Sequence, residues 1–117
     1  MKKTKEGKAV TDEIMQDIVT IQPDWKKLAR DLAIIKSTAR LSILDTLQKS
    51  REKLSFEDLA KKVKMNASNL AYHVAQLKKY GFITNELRAE RDGKRFSFYS
   101  IAEKGKKYMD FINQNMA

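Results

Sequence analysis

Met65-Asn66-Ala67-Ser68-Asn69-Leu70-Ala71-Tyr72-His73-Val74-Ala75-Gln76-Leu77-Lys78-Lys79-Tyr80-Gly81-Phe82-Ile83 is the stretch on which the reading of this chain turns. It combines a capped start, an apolar stripe, a polar and aromatic stripe, and a glycine stop. At about 100° per residue, Leu70, Val74, Leu77 and Gly81 fall together and are expected to face a core. Ser68, Asn69, Tyr72, Ala75, Gln76 and Lys79 fall on the other side. The surrounding window, Leu59 to Asn85, holds five lysines and no acid. A short helix with an uncharged polar face between cations suits the groove of a nucleic acid.

Each outward residue has a chemical use there. Small residues permit close approach, Asn69 and Gln76 can pair bidentately with adenine edges, and Lys79 reaches phosphate or guanine. An exposed Tyr72 can bond a phosphate or pack on a thymine methyl. The bland alternative is a polar helix face that merely meets solvent. His73 borders the apolar stripe, so a hydrogen-bonded packing role is expected for it rather than a pH switch or a ligand role.

Working toward the N-terminus, Ser55-Phe56-Glu57-Asp58 resembles a capping box and opens a short helix with Phe56, Leu59, Ala60 and Val63 inward. A break at 64–66 joins it to the helix 67–80, as in a helix-turn-helix. A helix over about 38–50 presents Leu41, Leu44 and Leu47, with Ile43 beside them. Another over about 24–36, capped by Asp24, carries Trp25, Leu28, Leu32 and Ile35 at helical spacing. Pro23 ends a first helix capped by Asp12, with Ile14, Ile18 and Ile21 on one side. Residues 1–11 read as a basic tail, either simply solvated or an arm that touches phosphates.

Toward the C-terminus the period changes to alternation. Phe82–Glu90 and Lys94–Ile101 read as two strands, and Asp92-Gly93 is a strong two-residue hairpin signal. Arg88, Arg91, Lys94 and Arg95 gather near the tip, where arginine suits a narrow minor groove. The competing reading is a charged tip with a Glu90–Arg95 cross-strand pair. Glu103 to Asn115 returns to helix, with Tyr108, Phe111 and Ile112 apolar. The expected fold is mainly α with a small β-hairpin, in the order α-α-α-α-α-β-β-α.

Composition narrows the function. The 117 residues suit one domain, burying roughly two-thirds of the unfolded surface and leaving little for a deep cleft. The net charge of +9 is uneven: residues 1–22 are neutral, 23–54 carry +4 and 55–81 carry +3. A polyanion would be drawn to the middle of the chain. Zero cysteines exclude disulfides and thiolate metal sites, and one histidine excludes a multi-histidine site within a subunit. No apolar run approaches a membrane span and no signal-peptide core follows the basic start, so a soluble, cytoplasmic protein is expected. The acids form no pair with a nucleophile or base, and no glycine-rich phosphate loop exists. Neither enzyme activity nor a cofactor is expected.

From Leu28 to about Met109 the chain resembles the winged helix-turn-helix domain of ArsR-like transcription regulators, and more loosely that of MarR-like regulators. The resemblance lies in Ala39-Arg40-Leu41-Ser42-Ile43-Leu44, then Phe56-Glu57-Asp58-Leu59-Ala60, then Asn66, Ser68, Leu70, Tyr72-His73-Val74, Leu77 and Gly81-Phe82-Ile83. It continues through Asp92-Gly93-Lys94-Arg95, Phe98-Tyr99-Ser100-Ile101 and Glu103-Lys104-Gly105. It implies a dimer on a two-fold symmetric operator, usually a repressor. Three features depart from the pattern. Lys36-Ser37-Thr38 lacks the usual proline, Lys64 stands where the turn glycine is expected, and the support helix lacks metal-sensing cysteines. Metal sensing is therefore not expected.

The organisation expected is a tail at 1–11, an N-terminal helix at 12–23, a winged-helix domain at 24–102 and a C-terminal helix at 103–117. DNA-contacting candidates are Ser68, Asn69, Tyr72, Gln76, Lys79, Lys61, Lys62, Arg91, Lys94 and Arg95. Apolar residues at both ends, Ile14, Ile18 and Ile21 with Met109, Phe111 and Ile112, are expected to build a homodimer. The partner expected is double-stranded DNA, read with sequence specificity by a repressor. Low-specificity architectural binding and a protein-interaction module are the alternatives.

Overall fold

The computed structural model describes residues 24–89, Gly93 and residues 95–116, the side chains of Ala89 and Arg95 excepted. The helix expected at 12–23, with Ile14, Ile18 and Ile21, lies outside these residues, as do Glu90, Arg91, Asp92 and Lys94. The elements are α1 (Trp25–Ile35), α2 (Thr38–Lys49), β1 (Leu54–Ser55), α3 (Phe56–Val63), α4 (Ala67–Lys79), β2 (Ile83–Ala89), β3 (Arg95–Ile101) and α5 (Glu103–Met116). The chain divides into two compact units within α1, between Arg30 and Asp31. Among the described residues no helix is long and apolar enough to cross a membrane.

Short polar side chains start the helices. The Asp24 carboxylate accepts from the backbone N–H groups of Lys26 and Lys27 at 3.1 and 3.2 Å. Ser37 Oγ accepts from Arg40 N at 3.2 Å, Ser55 Oγ from Asp58 N at 3.1 Å, and Asn66 Oδ1 from Asn69 N at 2.8 Å. Asp24 thereby satisfies two, and each of the others one, of the donors that the first turn leaves without a helical partner.

The helices of the second unit close over one core. Ile43, Leu44 and Leu47 of α2 meet Leu59 of α3, and Leu70, Val74 and Leu77 of α4, with Ile35, Leu54, Phe82, Ile83, Ile101 and Met109 completing it. The sheet order is β1-β3-β2, antiparallel throughout. The sequence reading expected two strands; the third, β1, pairs Leu54 with Tyr99 and Ser55 with Phe98. In the hairpin, Thr84 faces Ser100, Arg88 faces Phe96 and Ala89 faces Arg95. That register sets Ala89 directly across from Arg95.

Three expectations need correction, and the residue in the inter-helix turn needs a comment. On α1, Ile35 is buried but Leu32 is 47% exposed, and the residue buried beside Ile35 is Asp31, at 2%. Asp31 is tolerated because Tyr108 donates to its Oδ2 at 3.1 Å and Lys104 Nζ lies 2.8 Å from its Oδ1. Gly81, expected in the buried stripe, is exposed and adopts φ +82°. Its work is to end α4: the N–H groups of Gly81 and Phe82 turn back to Lys78 O and Leu77 O at 3.1 and 2.9 Å. Lys64 adopts φ 57°, so the turn keeps the left-handed shape for which glycine was expected. Met109, expected at a dimer contact, is 4% exposed within the core of its own chain.

The C-terminal helix α5 is built into this unit. Gly105 and Met109 are buried, and Gln48 Nε2 of α2 donates to Asp110 Oδ1 at 2.6 Å. Phe111 is 65% exposed, whereas Ile112 packs partly against the core.

Candidate nucleic-acid interface

Because α4 seats Leu70, Val74 and Leu77 in the core, its opposite side stands outward. Ser68, Asn69, Ala75 and Lys79 are exposed there and Gln76 is half-buried. Tyr72 is 59% exposed, enough for its ring to meet a partner. Positions 68, 72, 76 and 79 recur at helical spacing, so these side chains form one strip along the axis.

The strip sits among cations. Lys61 and Lys62 occupy the last turn of α3, Lys64 the inter-helix turn, and Lys78 and Lys79 the last turn of α4; all five are exposed. Lys61 lies 3.9 Å from Glu57, with both side chains mostly in solvent. Such a pair is worth well under about 1 kcal/mol, so it does not withhold the ammonium from a phosphate. The Lys79 ammonium lies 5.5 Å from the Tyr80 ring centroid.

Tyr72 has neighbours that sequence periodicity did not reveal. Its ring meets the His73 ring edge-on, centroids 5.4 Å apart, and the Arg40 guanidinium lies 5.6 Å from the Tyr72 centroid. Arg40 Nε also donates to His73 Nδ1 at 3.0 Å, and another guanidinium N–H donates to Ile34 O at 2.9 Å. Burial, and then the adjacent Arg40 charge, holds the His73 imidazole below its ordinary pKa. His73 is thus a neutral acceptor, with its remaining proton on Nε2. Arg40 was legible only as part of the family resemblance; its partner stands 33 positions away.

The hairpin extends from the same core. Arg88 is engaged within it, 3.2 Å from Glu86 Oε1 and with its guanidinium 4.7 Å from the Phe98 ring centroid. Lys53 Nζ bonds the same Glu86 oxygen at 2.5 Å, tying the segment before β1 to β2. These cations, ahead even of burial in the case of Lys53, hold the Glu86 carboxyl below its usual range. Of the tip candidates, Arg91 and Lys94 and the side chain of Arg95 lie outside the described residues. Among the described residues no group of three or more His, Cys, Asp or Glu could hold a metal ion.

A short support helix, a left-handed turn, a helix with a free polar face and an adjoining three-stranded sheet together define a winged helix-turn-helix domain. The chain belongs to the winged helix DNA-binding domain family, whose pattern matches residues 39–116. That family is one of DNA-binding domains rather than catalysts, in agreement with the reading of the acids above. No curated relative matches the chain.

Solved structures share the fold. HlyU from Vibrio cholerae N16961 is 22% identical, with a TM-score of 0.64 over 80% of this chain and 96% of its own. NolR from Sinorhizobium fredii is 21% identical, with a TM-score of 0.62 over 97% of this chain and 95% of its own. Mb0332 from Mycobacterium bovis is a homodimeric winged helix-turn-helix DNA-binding domain and a possible ArsR-family regulator. It is 22% identical, with a TM-score of 0.63 over 82% of this chain and 88% of its own.

Proposed function

We propose that this protein is a sequence-specific regulator of transcription that acts as a cytoplasmic homodimer on double-stranded DNA, in the manner of a repressor. The observation that carries the reading is the exposed, acid-free face of α4 on a DNA-binding fold. In this reading α4 enters the major groove, where Ser68, Asn69, Tyr72 and Gln76 contact base edges. Lys79 with Lys61 or Lys62 holds phosphates, and Arg91, Lys94 and Arg95 bring the wing, residues 84–100, to the adjacent minor groove or backbone.

Dimerisation would pair Ile14, Ile18 and Ile21 with Phe111 and Ile112 of the terminal helices. The exposure of Phe111 supports this, as does the homodimeric state of Mb0332. Two copies of α4 would then enter successive major grooves, ~34 Å apart.

The test is selection of bound duplexes from a random library, followed by variants on the selected site. Tyr72→Ala is expected to lower discrimination between selected and scrambled duplexes. Lys79→Ala is expected to weaken both about equally and to flatten the salt slope by roughly one ion. Salt-dependent binding with no preferred sequence would make the protein an architectural binder instead. Sedimentation as a monomer at micromolar concentration would remove the dimer.

A further inference from the structure

We propose that Arg40, which lies on α2 outside the helix-turn-helix, is the positioning residue for base reading by Tyr72, and that it acts partly through His73. The inference rests on the DNA-reading role of α4 given above and adds a residue that reading does not contain.

Tyr72 is the largest side chain on the outward strip of α4, and most of its surface is in solvent. A tyrosine so exposed ordinarily samples several χ1 wells, and the ordering entropy falls due when it binds. Here two contacts restrict it. The Arg40 guanidinium lies 5.6 Å from the ring centroid, within the range of a cation–π attraction. The His73 ring meets it edge-on at 5.4 Å.

Arg40 also fixes the imidazole. Its Nε–H donates to Nδ1 at 3.0 Å, which forces the remaining ring proton onto Nε2 and sets the ring plane. The guanidinium is itself anchored, by a 2.9 Å bond to Ile34 O and by the start of α2, where Ser37 Oγ caps Arg40 N. A planar fork with several donors can serve the imidazole, the carbonyl and the aromatic face at once; an ammonium cannot. Tyr72 is thereby pre-ordered before any duplex arrives, and pre-ordering lowers the cost of binding the correct one.

The experiment compares Arg40→Lys, Arg40→Met, Tyr72→Ala and the Arg40→Met/Tyr72→Ala double variant. The probes are a duplex obtained by random-library selection and a scrambled duplex of the same composition. Thermal melting and NMR of the His73 ring accompany the binding measurements. Both Arg40 single variants are expected to lose selectivity by roughly tenfold, the scale of one base contact. The double variant is expected to lose no more than Tyr72→Ala alone, because the two residues act as one unit. Arg40→Lys is expected to keep its affinity for the scrambled duplex, and in both single variants the His73 Nδ1 resonance should lose the signature of a fixed tautomer.

Full selectivity in Arg40→Lys would show that a plain cation at this position suffices, without the guanidinium fork, and would overturn the inference. Additive losses in the double variant, or unchanged selectivity in Arg40→Met, would overturn it as well. If the parent itself discriminates no sequence, the reading of α4 falls and the inference falls with it. If the parent discriminates and Arg40→Met matches it, only the inference falls.

Discussion

Gly105 presses directly against the carbonyl oxygen of Phe82, and a side-chain carbon placed there would also stand 2.7 Å from Ile101 Cγ1. The carbonyl cannot easily retreat, because it accepts the Ala102 N–H at 2.9 Å. In an open helix, replacing glycine by alanine gains about 1 kcal/mol. Here overpacking against backbone costs about 1–3 kcal/mol, and the clash is expected to win. Gly105→Ala should lower the Tm by roughly 5 °C or more in calorimetry. An unchanged or raised Tm would show that α5 can shift away from β3.

The inter-helix turn invites the opposite experiment. Lys64 sits at φ 57°, ψ 47°, a conformation that costs a residue with a side chain on the order of 1–2 kcal/mol. Glycine removes that strain but adds chain entropy to the unfolded state, about 0.5–1 kcal/mol. Lys64→Gly should therefore stabilise by about 0.5–1 kcal/mol in urea unfolding. Lys64→Val should destabilise, since branching at Cβ is least compatible with this region.

Removing the ammonium of Lys104 isolates a buried carboxylate. Of the two partners described, Asp31 would keep the Tyr108 hydroxyl and lose the charge, and breaking a buried pair costs roughly 3–5 kcal/mol. Lys104 retains some solvent contact, so the low end of that range is expected for Lys104→Met. Lys104→Met combined with Asp31→Leu should recover most of the loss, because no lone charge then remains. A double variant as unstable as the single one would contradict this account.

Acid should weaken the contact between α2 and α4. The folded-state pKa of His73 is depressed, by burial first and by Arg40 second, so the unfolded chain takes up the proton more readily. Stability attributable to this group is complete above the unfolded value of about 6.5, falls as pH drops from there toward the folded value, and then levels off. The slope of unfolding free energy against pH between 5 and 7 should be smaller in His73→Gln than in the parent. Equal slopes would place the titration elsewhere.

Much of this architecture could be read from local pattern. The core stripe of α4, the caps at Asp24, Ser55 and Asn66, and the alternation of β2 and β3 all depend on residues a few positions apart. What escaped depends on distant partners. A two-residue strand has no period to detect, so β1 becomes visible only when Leu54 finds Tyr99. Asp31 looks like any surface acid on α1 until Tyr108, 77 positions away, donates to it. The same holds within the candidate interface: the wheel showed Tyr72 facing outward, but not that Arg40 would reach across to its ring.

The ammonium of Lys104 touches more than the carboxylate of Asp31. It donates at 2.9 Å to the carbonyl of Tyr80, the residue that closes α4, and lies 4.6 Å from the Phe82 ring centroid. A single cation thus rivets three helices at one corner. Any tilt of the C-terminal helix is expected to tug on the trailing end of the helix that faces outward, so the pitch of that outer helix is set from behind as well as by the core beneath it.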